Sequence, residues 1–281
     1  MTGLFIQLST TPPGSYLQDL VAHVRLTHPE LTDLAFADCQ PWDVARLDPL
    51  NLDGLNVYVG APHIPWFGPR PDTPSGLQAW MLPVAGAAGM LTPSYRWDQI
   101  FADEALAGQT TARGWNVYIG SEVGIDALGD HPNLRAAWEA YLIEICRRVP
   151  ASKFLWSPYA WDAWATVSTF RRTRVQAAVK ALVTNVKTYS QTPGIGRIDL
   201  QDGRGAQPQE PASDASNWYK LIKDSGTTIK INMELFTPGL QPLPIDVMRA
   251  RRSYYATQGV PVGCSWEARY WLVPLYANHD H

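Results

Sequence analysis

Five acidic residues stand where short apolar runs of the chain end. Asp38 follows DLAFA, Glu122 follows NVYIGS, Asp202 follows RIDLQ, Glu234 follows IKINM, and Glu267 follows VGCSW. Carboxylates brought to one place disfavour each other's ionisation, so a fold that gathers them points to proton transfer or cation binding rather than stability. One such use is cleavage of a glycosidic bond. One carboxyl group protonates the leaving oxygen while the other attacks the anomeric carbon or activates water. Flat and amide-bearing side chains cluster at the same positions: Trp156, Tyr159, Trp161, Gln201, Asn232 and Trp266, with Trp66 in a proline-rich stretch. Aromatic faces pack against sugar rings, and amides hydrogen-bond their hydroxyls. Plain core packing is the competing explanation for the aromatics.

Composition agrees with a neutral, ring-shaped ligand. The 281 residues include 12 Trp and 12 Tyr, and charged residues are 17%, against about 25% in typical globular domains. The net charge of −3 gives no footprint for nucleic acid or an anionic membrane. No run of apolar residues approaches the ~18 needed for a membrane span. Cys39, Cys146 and Cys264 are odd in number and widely spaced, which argues against a disulfide framework or zinc knuckle. The six histidines lack ligand spacing, so neither a metal nor another cofactor is expected. The N-terminal residues have no basic region and too short an apolar run for a signal peptide. The expectation is therefore a cytoplasmic protein, or one delivered outside by a phage or by non-classical export. The sequence is silent on oligomeric state.

The elements that must position these residues alternate. Apolar strands are expected at 3–8, 33–38, 55–60, 115–120, 153–157, 196–201, 227–233 and 260–266. Helical periodicity appears at 16–27, 97–113, 133–148, 170–189, 213–223 and 245–257, with a poorly defined helix at 42–50. A long irregular loop, 61–96, follows the third strand. Eight strand–helix units without a linker-like break predict one (β/α)8 TIM barrel over residues 1–281, of the α/β class. A doubly wound sheet is the alternative, but Ser9–Gly14 is no phosphate loop. In a barrel the site lies at the C-terminal ends of the strands, which is where the acidic residues stand. The loop at 160–165, with Trp161 and Trp164, is expected to form a sugar platform.

The segments YIGSEVG (118–124), WSPY (156–159), QDGRGA (201–206) and NMELF (232–236) resemble a bacterial family of glycoside-hydrolase-like barrel proteins of formally unassigned activity. The resemblance implies that Glu122, Tyr159, Asp202 and Glu234 line a pocket. Carboxylates after strands four and seven are also similar in position to the acid/base and nucleophile of retaining barrel glycosidases, although Ser121 stands where that clan usually has Asn. The reading is a glycoside hydrolase acting on an oligo- or polysaccharide. Glu234 is the nucleophile or base, and Glu122 the acid, with Asp202 its rival. Asp38, Trp66, Trp156, Tyr159, Trp161, Gln201, Asn232, Trp266 and Glu267 are expected to contact substrate. The alternatives are ion pairs of Asp38 with Arg46 and of Glu267 with Arg269. The alternative function is a non-catalytic carbohydrate-binding barrel, such as a component of a phage particle. A Schiff-base lyase using Lys230 is a third.

Overall fold

The structure, a computed structural model, describes residues 3–8, 16–61, 95–120, 123–149, 153–160, 162–204, 212–237 and 241–266. Eight parallel strands run β1 (Gly3–Gln7), β2 (Asp33–Ala37), β3 (Asn56–Val59), β4 (Asn116–Ile119), β5 (Phe154–Trp156), β6 (Ile195–Gln201), β7 (Thr228–Asn232) and β8 (Cys264–Ser265). They pair in sequence order from β1 to β7, and β8 pairs with β1. Parallel bridges from Ile231 to Val262 and from Glu234 to Trp266 close the sheet between β7 and the β8 segment. The expected (β/α)8 TIM barrel is the observed fold.

Seven α-helices cover the barrel among the described residues: α1 (Tyr16–Thr27), α2 (Tyr95–Ala112), α3 (Ile125–Asp130), α4 (Pro132–Arg148), α5 (Thr169–Ser190), α6 (Ala212–Ile222) and α7 (Ile245–Thr257). Between β2 and β3 stands a 3-10 helix, Pro41–Leu47, where the sequence predicts only a weak helix. The six-residue α3 was not expected, because it is too short to display helical periodicity. It lies against α5 so closely that a Cβ on Gly129 would sit 2.7 Å from Val175 Cγ2.

Strand side chains alternate between two cores, as the period of a β-strand requires. Leu4, Ile6, Leu34, Phe36, Ile198, Leu200, Ile229 and Ile231 face the helices. Phe5, Ala35, Ala37, Tyr58, Tyr118, Leu155 and Cys264 fill the barrel interior. The N-terminal end of that interior is charged. Arg197 Nε and Nη2 donate to Asp199 Oδ1 and Oδ2, both at 2.6 Å, and its Nη1 lies 2.9 Å from Asp33 Oδ1. Lys230 Nζ is 3.8 Å from Asp33 Oδ2, so two cations meet two carboxylates. Each charge of this network is thereby compensated, a condition for burial in a low dielectric. Cys264 N–H adds a hydrogen bond to Asp199 Oδ2 at 2.9 Å.

This network leaves no room beside it. A Cβ on Gly263 would lie 2.5 Å from Asp199 Oδ2 and 2.6 Å from Arg197 Nη2. Gly263→Ala is therefore expected to destabilise the fold by about 1–3 kcal/mol, as over-packing does. Gly108→Ala, in α2 with nothing within 4 Å, should stabilise by about 0.5–1 kcal/mol through helix propensity. Urea denaturation of both variants checks this, and equal effects would contradict the packing.

Candidate functional site

Glu234 is the best-placed carboxylate among the described residues. Ile229, Ile231, Met233 and Leu235 all join the helix-facing core, so alternation turns Lys230, Asn232 and Glu234 towards the barrel axis. Glu234 lies just beyond the C-terminal end of β7 and is 5% exposed. Leu235 N–H donates to Trp266 C=O at 2.5 Å, and Trp266 N–H to Met233 C=O at 3.0 Å. This pairing brings Trp266 beside Glu234. The Trp266 ring lies against Phe5 at 5.2 Å between centroids, and Phe5 meets Tyr118 edge-on at 4.9 Å. The acid thus stands next to an aromatic wall.

One step nearer the barrel floor is an amide–hydroxyl chain. Asn232 Nδ2 donates to Ser157 Oγ at 2.9 Å, and Ser157 Oγ donates to Asp199 C=O at 2.7 Å. Gln201 Nε2 donates to Ser157 C=O at 2.8 Å. Asn232 is 1% exposed, and its Oδ1 has no hydrogen-bond partner among the described residues. Tyr159 is half-buried and extends the β4–β5 edge upward: it bridges Gly124, and its C=O accepts from Ile125 N–H at 2.8 Å.

Asp38 lies past the end of β2 with φ of 56°, a left-handed backbone that few non-glycine residues adopt. Its Oδ2 accepts from Gln7 Nε2 at 2.6 Å. Arg46, the partner weighed for Asp38, instead faces Asp43 at 3.6 Å, one helical turn away. Gln7, the last residue of β1, was not foreseen, although its place at a strand end is the same signal that singled out Asp38.

Two expected site residues face elsewhere. Trp156 belongs to the helix-facing core, fully buried, with its ring 5.9 Å from that of Trp138. Alternation explains the correction: Leu155, its neighbour, takes the interior position. Asp202 is likewise out of step with the inward Arg197, Asp199 and Gln201. Its carboxylate turns to α7, where Oδ2 accepts from Tyr255 OH at 3.0 Å and Arg251 Nη1 at 3.3 Å. Its Oδ1 accepts from Glu234 N–H at 3.1 Å and Arg204 N–H at 3.2 Å. Four donors, the Arg251 guanidinium among them, hold this carboxylate away from the barrel axis. Burial, then Asp202, raises the Tyr255 hydroxyl well above its ordinary pKa, so it stays a donor.

Arg251 and Tyr255 are the residues that sequence reading missed. With Met248 they form the buried face of α7. An arginine at an apolar-stripe position was the available sign.

Trp164 is also an anchor rather than a platform. Trp218 meets it edge-on at 5.1 Å, and the Arg172 guanidinium lies 3.8 Å from its ring centroid. Its N–H donates to Asp214 Oδ2 at 2.8 Å. Glu122, Trp66, Trp161 and Glu267 lie outside the described residues. Burial pushes the Cys39 thiol up to about 12, so it remains protonated near neutrality. No group of three His, Cys, Asp or Glu is placed to hold a metal among the described residues.

The fold is shared with solved structures. A structure described as a putative alpha-L-fucosidase from Bacteroides thetaiotaomicron superposes with a TM-score of 0.57 at 13% identity, covering 95% of this chain and 87% of that one. An intracellular xylanase from Thermoanaerobacterium saccharolyticum gives 0.45 at 12% identity, over 95% and 85%. At 13% identity the first likeness speaks for the barrel alone, and the second, at a TM-score of 0.45, carries no argument. No family model and no curated protein matches the sequence.

If Trp156 is a core residue, Trp156→Ala should lower the unfolding free energy by about 3–5 kcal/mol. Chemical denaturation measures this. A loss under about 1 kcal/mol would contradict its burial.

Proposed function

We propose that the protein hydrolyses or transfers glycosidic bonds of an oligo- or polysaccharide with two carboxyl groups. The observation that carries this reading is Glu234: a buried carboxylate facing the axis at the catalytic end of a barrel, beside Trp266. A buried acid at a barrel mouth is the kind of group that general acid–base and nucleophilic chemistry use.

In the proposed reaction Glu234 attacks the anomeric carbon or takes a proton from the attacking water. Glu122, which follows β4 in the sequence, gives its proton to the departing oxygen. Asp202 has no part in the proton transfer, because Arg251 and three further donors hold it behind Glu234. Asn232, Gln201, Tyr159 and Asp38 orient sugar hydroxyls, and Trp266 stacks on a ring face. Trp66, Trp161 and Glu267 are further substrate contacts in this reading. The chemistry calls for neither metal nor other cofactor, and its partner is the carbohydrate itself, with no nucleic acid or membrane involved. The fold shared with a structure described as a fucosidase agrees with this class and leaves the sugar open.

The test is turnover of a panel of aryl glycosides and oligosaccharides by wild type, Glu234→Gln and Glu122→Gln. Each substitution should reduce the rate by about 10²- to 10⁴-fold or more without unfolding the protein. Undiminished turnover in Glu234→Gln would contradict the assignment. Sugar bound by the wild type and never cleaved would make this a carbohydrate-binding barrel instead.

A further inference from the structure

We infer that Asp202, Arg251 and Tyr255 form a clamp on the peptide groups of Glu234 and act as its positioning residues. The inference rests on Glu234 being the reacting carboxylate.

Strand β7 ends at Asn232 and β6 at Gln201, so Glu234 stands beyond the ladder that would otherwise fix it. On the β8 side, Trp266 pairs with Met233 and Leu235. On the β6 side the backbone ladder stops after Asp202 N–H donates to Asn232 C=O at 2.9 Å. The Asp202 side chain then continues it, because Oδ1 accepts the Glu234 N–H at 3.1 Å. Gly203, at φ of 66°, turns the chain so that Arg204 N–H reaches the same oxygen.

The other half of the clamp comes from α7. Arg251 Nη1 donates to Glu234 C=O at 2.8 Å and to Asp202 Oδ2 at 3.3 Å. Tyr255 OH donates to Asp202 Oδ2 at 3.0 Å. Both backbone groups of Glu234 therefore end on one network anchored in a helix. The Asp202 side chain is fully buried and that of Arg251 is 7% exposed. A buried ion pair contributes little net stability compared with apolar packing. Its contribution here is geometric, because each of its bonds fixes Glu234 or a group that holds Glu234.

Tyr255→Phe removes one hydroxyl from the network at nearly constant volume. Asp202→Asn sets a donor against Arg251. In both, the clamp predicts about 10-fold or faster amide exchange at Glu234 by NMR, with the Ile231 amide in the β7 ladder unchanged. On a substrate the wild type cleaves, both should lower kcat by about 10- to 100-fold with KM held within about 3-fold. Arg251→Lys should retain more kcat than Arg251→Met. A purely structural role would lower the melting temperature and leave kcat of the folded protein intact.

Unchanged exchange at Glu234 would overturn the clamp. Faster exchange with unchanged kcat, in a protein that Glu234→Gln inactivates, would overturn its positioning role. If the wild type cleaves no glycoside, the proposed function fails, and the exchange ratio still decides whether the clamp holds Glu234.

Discussion

A residue on a barrel strand has two places to go, the axis or the helix layer, and its neighbours take the other. This period of two governs the molecule. It sends Ile229, Ile231 and Met233 to the helices, and Lys230, Asn232 and Glu234 to the axis. It also separates adjacent residues of opposite use. Gln201 reaches the interior and bonds Ser157, while Asp202 turns back to α7. Leu155 fills the barrel, and Trp156 packs on Trp138. A one-residue slip at either strand would exchange these roles.

Burial of charge is the second constraint, and the barrel meets it at two depths. At the N-terminal end, Arg197 and Lys230 neutralise Asp33 and Asp199. Behind the mouth, Arg251 neutralises Asp202. Each network ties several elements together. The lower one joins β2, β6, β7 and the start of β8. The upper one joins the ends of β6 and β7 to α7. Glu234 is thus held from behind, and the neighbouring Trp266 packs on Phe5.

The barrel was legible because eight apolar runs alternate with helical stretches, and strand ends then point to candidates. The strand boundaries agree to within a few residues; β8 is shortest, because only Cys264–Ser265 form its ladder. Strand-end position marked Glu234, Asn232 and Trp266, but it could not tell inward from outward. Asp202 and Trp156 were misplaced because alternation was not carried to the strand ends. Trp164 packs against Trp218 and Arg172, contacts that its own short loop does not reveal. The clamp escaped for the same reason: Arg251 and Asp202 are 49 residues apart, and only the tertiary fold brings them together.

The central claim is that Glu234 and Glu122 flank a scissile bond. A crystal structure of the protein with a bound oligosaccharide measures it by the separation of their carboxyl groups. A value of about 5–5.5 Å fits a retaining hydrolase, and about 6.5–9.5 Å an inverting one. The expected separation falls in one of these ranges, with the anomeric carbon between the two groups. A separation well beyond them, or a sugar seated away from Glu234, would contradict it.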